Sequence, residues 1–139
     1  MSRRRAREAV LIVLFQVDVG RAEADEAFNR TMNDWKIKGQ DREFAQAVAF
    51  GTLERLGRID EIIRRLSPDW KLERMNSVDR NLMRMALFEI LYRDDIPPNV
   101  AINEAVELAK RYGGEESPRF VNGILGRVAE NIGEYKAGQ

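Results

Sequence analysis

Apolar residues recur at steps of three and four along most of this chain, and no other feature constrains its fold as strongly. Near the N-terminus one such stripe runs from Ala6 to Val17, and a second stripe of Leu11 and Phe15 lies beside it. No segment shows the strict alternation that is typical of a half-buried strand. The chain has 139 residues, which is enough for one domain-sized core. The sequence therefore predicts an all-α fold of about seven helices.

Turn signals divide this pattern into separate helices. The longest stripe predicts one continuous helix over Asp41–Leu66, and the pair Ser67-Pro68 interrupts the pattern directly after it. Ser77, Asn99 and Ser117 are each followed by an apolar stripe of helical spacing, and each is a residue type that caps helices. We therefore expect these three residues to cap the helices that follow them.

The composition excludes many kinds of enzyme. The chain contains no Cys and no His, which removes thiol nucleophiles, imidazole bases and the usual zinc ligands. Neither a P-loop nor a dinucleotide-binding or nucleophile-elbow glycine motif occurs. Glu104 and Glu107 stand at helical spacing, which is more typical of a solvated face than of a catalytic pair. We expect a protein without catalytic activity, metal or cofactor.

The N-terminal stretch MSRRRAREAVLIVLFQVDVG can be interpreted as a secretion signal, as the first helix of the fold or as a nucleic-acid-binding arm. Its apolar run, Ala9–Phe15, is far shorter than the roughly 20 residues that span a bilayer. Glu8 and Gln16 interrupt the apolar character in a way that is unusual for a signal peptide. The stretch is therefore predicted to be a retained helix of a cytoplasmic protein that does not enter a membrane.

Four arginines open that helix: Arg3, Arg4, Arg5 and Arg7. Cations at a helix N-terminus oppose the helix dipole, so their presence there has a small cost in stability. Arginine makes bidentate contacts with phosphate and stacks on unpaired bases, which favours an RNA- or DNA-binding arm. The alternative is a solvated terminus whose charge only improves solubility, and the arginines alone do not choose between the two.

The segment ESPRFVNGIL carries a second candidate site. Phe120 lies at the edge of the apolar face of the last long helix, beside Arg119. This position suits a platform for base stacking next to a phosphate contact, and it equally suits a ring that covers the edge of the core. Gly123 and Gly126 in the same helix first indicate close helix packing, and only second room for a ligand.

The centre of the chain mixes aromatic and charged residues, as the rim of a protein interface does. They are Trp70, Glu73, Arg74, Asp79 and Arg80. The alternative is an ordinary solvated linker with Trp70 packed into the core. From the residues alone, the protein is a helical protein with a basic end.

Three parts of the sequence resemble the NusB family of bacterial transcription antitermination factors. They are RRRARE in the first helix, the tryptophan before the central turn, and VDRNLMRMALFEILYRDDIPPNVAINEAVELAKRYGGEESPRFVNGIL over residues 78–125, about a third of the chain. Residues 20–66 match only in the length and order of their helices. The resemblance implies two small helical bundles packed crosswise, one of residues 1–66 and one of residues 67–139.

The resemblance also implies a function without catalysis or cofactor. Members of this family bind the single-stranded boxA element of ribosomal RNA leader transcripts together with the small-subunit ribosomal protein NusE. They do so with other Nus factors and RNA polymerase, in a complex that keeps the polymerase transcribing. Both monomers and dimers occur in the family, so a homodimer stays an open alternative.

Carried over position by position, the resemblance implies two surfaces. The RNA surface would comprise Arg3, Arg4, Arg5, Arg7, Phe15, Arg119 and Phe120. The NusE surface would comprise Glu73, Arg74, Asp79 and Arg80. Two departures stand out: Arg119 replaces a common lysine and keeps its charge, whereas Phe15 replaces a common tyrosine and lacks its hydroxyl.

These observations predict that RNA crosses the first and last helices, with arginines on phosphates and Phe120, with or without Phe15, stacked on bases. A helical adaptor that uses the same surfaces only for protein contacts is the rival interpretation. A third is the similar RNA-binding module found fused to ribosomal RNA methyltransferases, which we disfavour because this sequence has no room for the catalytic domain.

Overall fold

The structure is a computed structural model that describes residues 3–137. This part of the chain forms eight α-helices and one 3₁₀ turn and contains no strand, which confirms the all-α prediction. It divides into two compact units, of which the first ends at Glu54 and the second begins at Arg55. None of its helices is both long and apolar enough to cross a membrane.

The first unit contains three helices: α1 (Arg3–Asp18), α2 (Ala24–Asp34) and α3 (Gly39–Glu54). Helix α1 packs against both others and buries Leu11 of its second apolar stripe as well as most of the first stripe, whereas Phe15 is exposed. Leu14 of α1 and Met32 of α2 are fully buried in this core. The N-terminal stretch is therefore a central helix of its unit.

The second unit contains the 3₁₀ turn Leu72–Arg74 and five helices: α4 (Leu56–Leu66), α5 (Ser77–Tyr92), α6 (Pro98–Tyr112), α7 (Ser117–Glu130) and α8 (Ile132–Ala137). Helix α5 packs against α4, α6, α7 and α8. Every residue from Asp79 to Leu91 is buried, as expected for a helix with neighbours all round. The unit is built around α5.

The helix expected over Asp41–Leu66 is two helices, because the backbone leaves the helical conformation at Arg55. The apolar stripe continues across this break because α3 buries one face against α1, while α4 buries another against α5. The guanidinium of Arg55 lies 4.5 Å from the ring centroid of Tyr92, on the side of the second unit. Periodicity alone does not reveal such a break, since each half keeps its own stripe.

All three expected caps are displaced by one residue or more. Asn76, not Ser77, caps α5, since its side-chain oxygen accepts a hydrogen bond from the Val78 amide at 2.8 Å. Helix α6 begins at Pro98, before the expected cap at Asn99. Ser117 is the first residue of α7, and its hydroxyl accepts a hydrogen bond from the Gly114 amide at 2.9 Å.

Candidate nucleic-acid interface

The arginines of α1 differ in how far they reach into solvent. Arg5 is half-buried, and its two terminal nitrogens donate hydrogen bonds to the main-chain carbonyl of Trp35 at 2.9 and 2.7 Å. Its guanidinium also lies 5.2 Å from the centroid of the Trp35 ring, within the range of a cation–π contact. Arg5 therefore joins the start of α1 to the end of α2.

Arg7 is only 3% exposed, and its guanidinium lies 5.1 Å from the centroid of the Phe44 ring. Arg3 lies over the same ring at 4.5 Å but is exposed, as is Arg4. A phosphate can approach Arg3 and Arg4 directly, whereas Arg7 would have to leave its position to meet one. The basic end of α1 therefore consists of an exposed pair and a pair that packs within the unit.

Phe15 lies near the other end of α1 and is 38% exposed. Val19, one turn further along the chain, is also exposed. A phenylalanine on the surface exposes apolar area that is usually buried, and this ring is accessible to a stacked base.

Arg119 and Phe120 lie in the first turn of α7. The Arg119 side chain is 88% exposed, and its ion pair with Glu116 is long, at 3.9 Å between nitrogen and oxygen. Exposed pairs of this kind hold a side chain weakly. Phe120 is half-buried, which is compatible both with an edge of the core and with a stacking ring.

Trp70 is the aromatic residue whose place the sequence left open, and the structure shows that it is not in the core. It is 64% exposed, and its ring centroid lies 6.4 Å from that of Phe120 with an angle of 70° between the ring planes. This is the edge-to-face geometry that aromatic pairs favour. The sequence signal was a tryptophan that stands two residues after Pro68 of the turn and lies outside any apolar stripe.

The glycines of α7 do not mediate close packing, so that first interpretation was wrong. A Cβ atom added at Gly123 or Gly126 would meet no atom of the described residues within 4 Å. Gly123 lies one helical turn after Phe120, on a neighbouring part of the helix surface. The surface beside the Phe120 ring is therefore open.

The 3₁₀ turn exposes two of the residues expected at the protein interface, Glu73 and Arg74. Arg64 of α4 donates a hydrogen bond to the Glu73 carboxylate at 2.9 Å. This bond lowers the pKa of Glu73 below its ordinary value. The turn therefore exposes the ionised carboxylate of Glu73 and the guanidinium of the next residue, Arg74.

Asp79 and Arg80 lie at the start of α5 and are buried. Arg80 donates hydrogen bonds to the carbonyls of Leu72 and Met75 at 3.0 and 3.2 Å, so it fixes both ends of the 3₁₀ turn. Burial raises the pKa of Asp79, and a hydrogen bond with the Ser117 side chain opposes this effect. Asp79 Oδ1 has no hydrogen-bond partner among the described residues. Arg80 therefore holds the 3₁₀ turn from inside, whereas Asp79 is buried beside Ser117 of α7.

No cluster of three or more metal-ligating side chains occurs within residues 3–137. The accessible groups among the predicted site residues are guanidinium groups, aromatic rings and the Glu73 carboxylate. Such groups bind phosphates, bases and charged protein surfaces by contact.

A sequence model of the NusB family matches residues 4–130. The chain belongs to the NusB family. The match extends from the second residue of α1 to the end of α7, and therefore includes Arg4, Arg119, the 3₁₀ turn and the Trp70–Phe120 pair.

Individual relatives agree with this assignment. The transcription antitermination protein NusB of Desulforudis audaxviator is 52% identical over 136 residues, which are 98% of this chain and 99% of the relative. The structure of NusB from T. maritima is 40% identical, with a TM-score of 0.88 over 94% of this chain and 92% of that one. A crystal structure of the antitermination factors NusB and NusE in complex with dsRNA contains a similar chain, which is 26% identical. Its TM-score is 0.85 over 93% of this chain and 96% of that one.

The family assignment confirms the resemblance that the motifs indicated. NusB relatives are named for transcription antitermination and not for a chemical reaction, which agrees with the prediction that this protein is not an enzyme. The family match also covers residues 20–66, which lie outside the motifs.

Proposed function

We propose that this protein binds the single-stranded boxA RNA of ribosomal RNA leader transcripts together with a NusE partner. In this role it joins other Nus factors and RNA polymerase in the cytoplasm and supports processive transcription of ribosomal RNA operons. The observation that carries the proposal is the set of exposed arginines and rings on helices that the NusB family shares. A NusB relative in complex with NusE and dsRNA supports both partner classes.

The accessible groups of the RNA surface have two different roles, which follow from their chemistry. Arg3, Arg4 and Arg119 neutralise phosphates, because their side chains are exposed. Phe120 and Phe15 offer ring faces to unpaired bases. Arg5 and Arg7 contribute by fixing the start of α1, since they pack against Trp35 and Phe44.

On the protein side, Glu73 and Arg74 make the direct contacts with NusE, because both protrude from the 3₁₀ turn. Arg80 acts through the shape of that turn, and Asp79 acts through the packing of the start of α5 beside Ser117 of α7. Charged pairs at an interface rim mainly set the association rate and the choice of partner.

The test is a binding titration with a boxA RNA oligonucleotide and a scrambled oligonucleotide of equal composition, with and without NusE. We expect weak, salt-sensitive binding by this chain alone, preference for boxA, and tighter binding when NusE is present. Equal affinity for both oligonucleotides under both conditions would exclude boxA recognition. NusE binding without any RNA protection in a footprint would instead show a protein adaptor.

A further inference from the structure

We propose that Trp70 is an RNA-binding residue, and that its indole and the Phe120 ring form a two-ring platform on which unpaired bases stack. This inference rests on the proposed RNA-binding function and adds a contact that the family's motifs did not assign. The geometry that points to it is the edge-to-face pair with centroids 6.4 Å apart.

Trp70 is exposed to a degree that is unusual for a tryptophan. Tryptophan is the largest side chain and is usually mostly buried, yet this one is 64% exposed, more than any other large apolar side chain among the described residues. Because this apolar surface stays in water, the folded protein lacks the stabilisation that its burial would provide. An exposed ring of this size is typical of a binding site.

The backbone that carries the Trp70 ring is held in place before anything binds. The Trp70 amide donates a hydrogen bond to the Ser67 carbonyl at 3.0 Å, which closes a turn. Arg127 of α7 donates to the carbonyl of Leu66 at 3.2 Å, so the segment before Trp70 is fixed to the helix that carries Phe120. A platform that is already ordered loses little conformational entropy when a base stacks on it.

Space and charge around the two rings also suit a nucleic acid. The surface at Gly123, one turn beyond Phe120, is open: a Cβ atom added there would meet no neighbouring side chain within 4 Å in the part of the chain that the structure describes. Lys71 and Arg119 directly adjoin the rings in the sequence and are both exposed, so they are accessible to the phosphates of stacked bases. The neighbouring acids Asp69 and Glu116 are exposed too, and the ion pair of Glu116 with Arg119 is long, at 3.9 Å.

An aromatic pair can also anchor a protein partner, so the experiment must separate the two classes of ligand. The chain contains two tryptophans, Trp35 and Trp70. A Trp35→Phe variant makes Trp70 the only indole and keeps the Arg5 hydrogen bonds, because those are made to the main chain of residue 35. Its fluorescence therefore reports on Trp70 alone.

We expect boxA RNA to quench this fluorescence, with half-saturation at the RNA concentration that half-saturates binding measured by anisotropy. Trp70→Ala should weaken RNA binding about tenfold, since a base stacked on an aromatic ring contributes about 1–3 kcal/mol. Trp70→Phe should recover part of the affinity, because a smaller ring still stacks. Val100→Ala, an exposed apolar position on α6, is the control and should bind as the parent does.

A second variant tests the open surface independently of Trp70. Gly123→Leu should weaken RNA binding by a similar factor, because its side chain would occupy the space of the base. Gly123→Ala should bind nearly as the parent does and should keep a folded helix, since Ala favours helix more than Gly. Thermal unfolding of each variant identifies any loss of affinity that comes from misfolding.

The outcomes separate this inference from the proposed function. If the parent protein binds no RNA, the proposed function fails and this inference fails with it. If the parent binds RNA and Phe120→Ala weakens binding, but Trp70→Ala does not and the fluorescence stays constant, only this inference is overturned. A fluorescence change with NusE and none with RNA would also overturn it, and would assign Trp70 to the protein partner.

Discussion

Arg84 of α5 holds both carboxylate oxygens of Asp60 in α4, with its Nε and Nη2 atoms at 2.8 and 2.9 Å. Both side chains are almost completely buried. Removing one partner of such a pair leaves an uncompensated buried charge. We expect Asp60→Ala to lower the free energy of unfolding by about 3–5 kcal/mol, measured by urea denaturation. The double variant Asp60→Leu/Arg84→Met should lose much less, and an equal or greater loss would contradict this account.

Arg5 should stabilise the first unit independently of any RNA. Arg5→Ala removes two hydrogen bonds to the Trp35 carbonyl, and we expect it to lower the free energy of unfolding by about 1–3 kcal/mol. Arg5→Lys should recover little, because an ammonium group cannot make the planar pair of bonds. Trp35 fluorescence during urea unfolding, followed in a Trp70→Phe background so that Trp35 is the only indole, measures the effect. Arg3→Ala, at an exposed position, is the control. An equal loss of unfolding free energy in that variant would show that the two hydrogen bonds of Arg5 add no stability of their own.

Arg3 and Arg4 should govern the salt dependence of RNA binding. For single-stranded nucleic acid, each neutralised phosphate contributes about 0.7 to the slope of log affinity against log salt. Replacing both residues with Gln should therefore reduce the magnitude of that slope by about 1.4, without a large change in the unfolding midpoint. Lys38→Gln, also at an exposed position of the first unit, should leave the slope unchanged. The same slope in the double variant would exclude both arginines from phosphate contact.

Asp79 should make the protein less stable as the pH rises from acid toward neutrality. Its pKa is raised above the ordinary value of 3.8 because the carboxyl is buried, so the folded state binds the proton more tightly than the unfolded state. The stabilising contribution is complete below pH 3.8 and is lost as the pH rises through the higher pKa of the folded state. Asp79→Asn cannot ionise and should flatten the dependence of unfolding free energy on pH in this window. The surface variant Asp69→Asn should keep the parent's slope, and an unchanged slope in Asp79→Asn would refute the assignment.

The sequence predicted most of the helices because each helix buries one stripe, and a stripe is a local property. It could not reveal that Arg7 and Arg80 are buried, since their surroundings come from Phe44 and the Leu72 carbonyl, which lie elsewhere in the chain. The break at Arg55 was hidden for a related reason. Two helices that bury faces against different neighbours can carry one uninterrupted pattern.

In the candidate site, too, some residues were identified from local sequence, and others only from the tertiary structure. Arg119 and Phe120 were identified from neighbouring residues in one motif, whereas the Trp70–Phe120 pair joins residues 50 positions apart. The exposure of Trp70 depends on the turn that Ser67 closes and on the tie between Arg127 and Leu66. Side-chain chemistry can therefore be read locally, but the surface that presents it is set by the tertiary fold.

Helix α5 is buried without interruption from Asp79 to Leu91. Four helices pack against α5, so the fraying of one of them leaves its contacts with the other three in place. Its backbone amides should therefore exchange hydrogen with solvent only when the whole second unit opens, and their exchange rate sets the upper limit of that unit's stability.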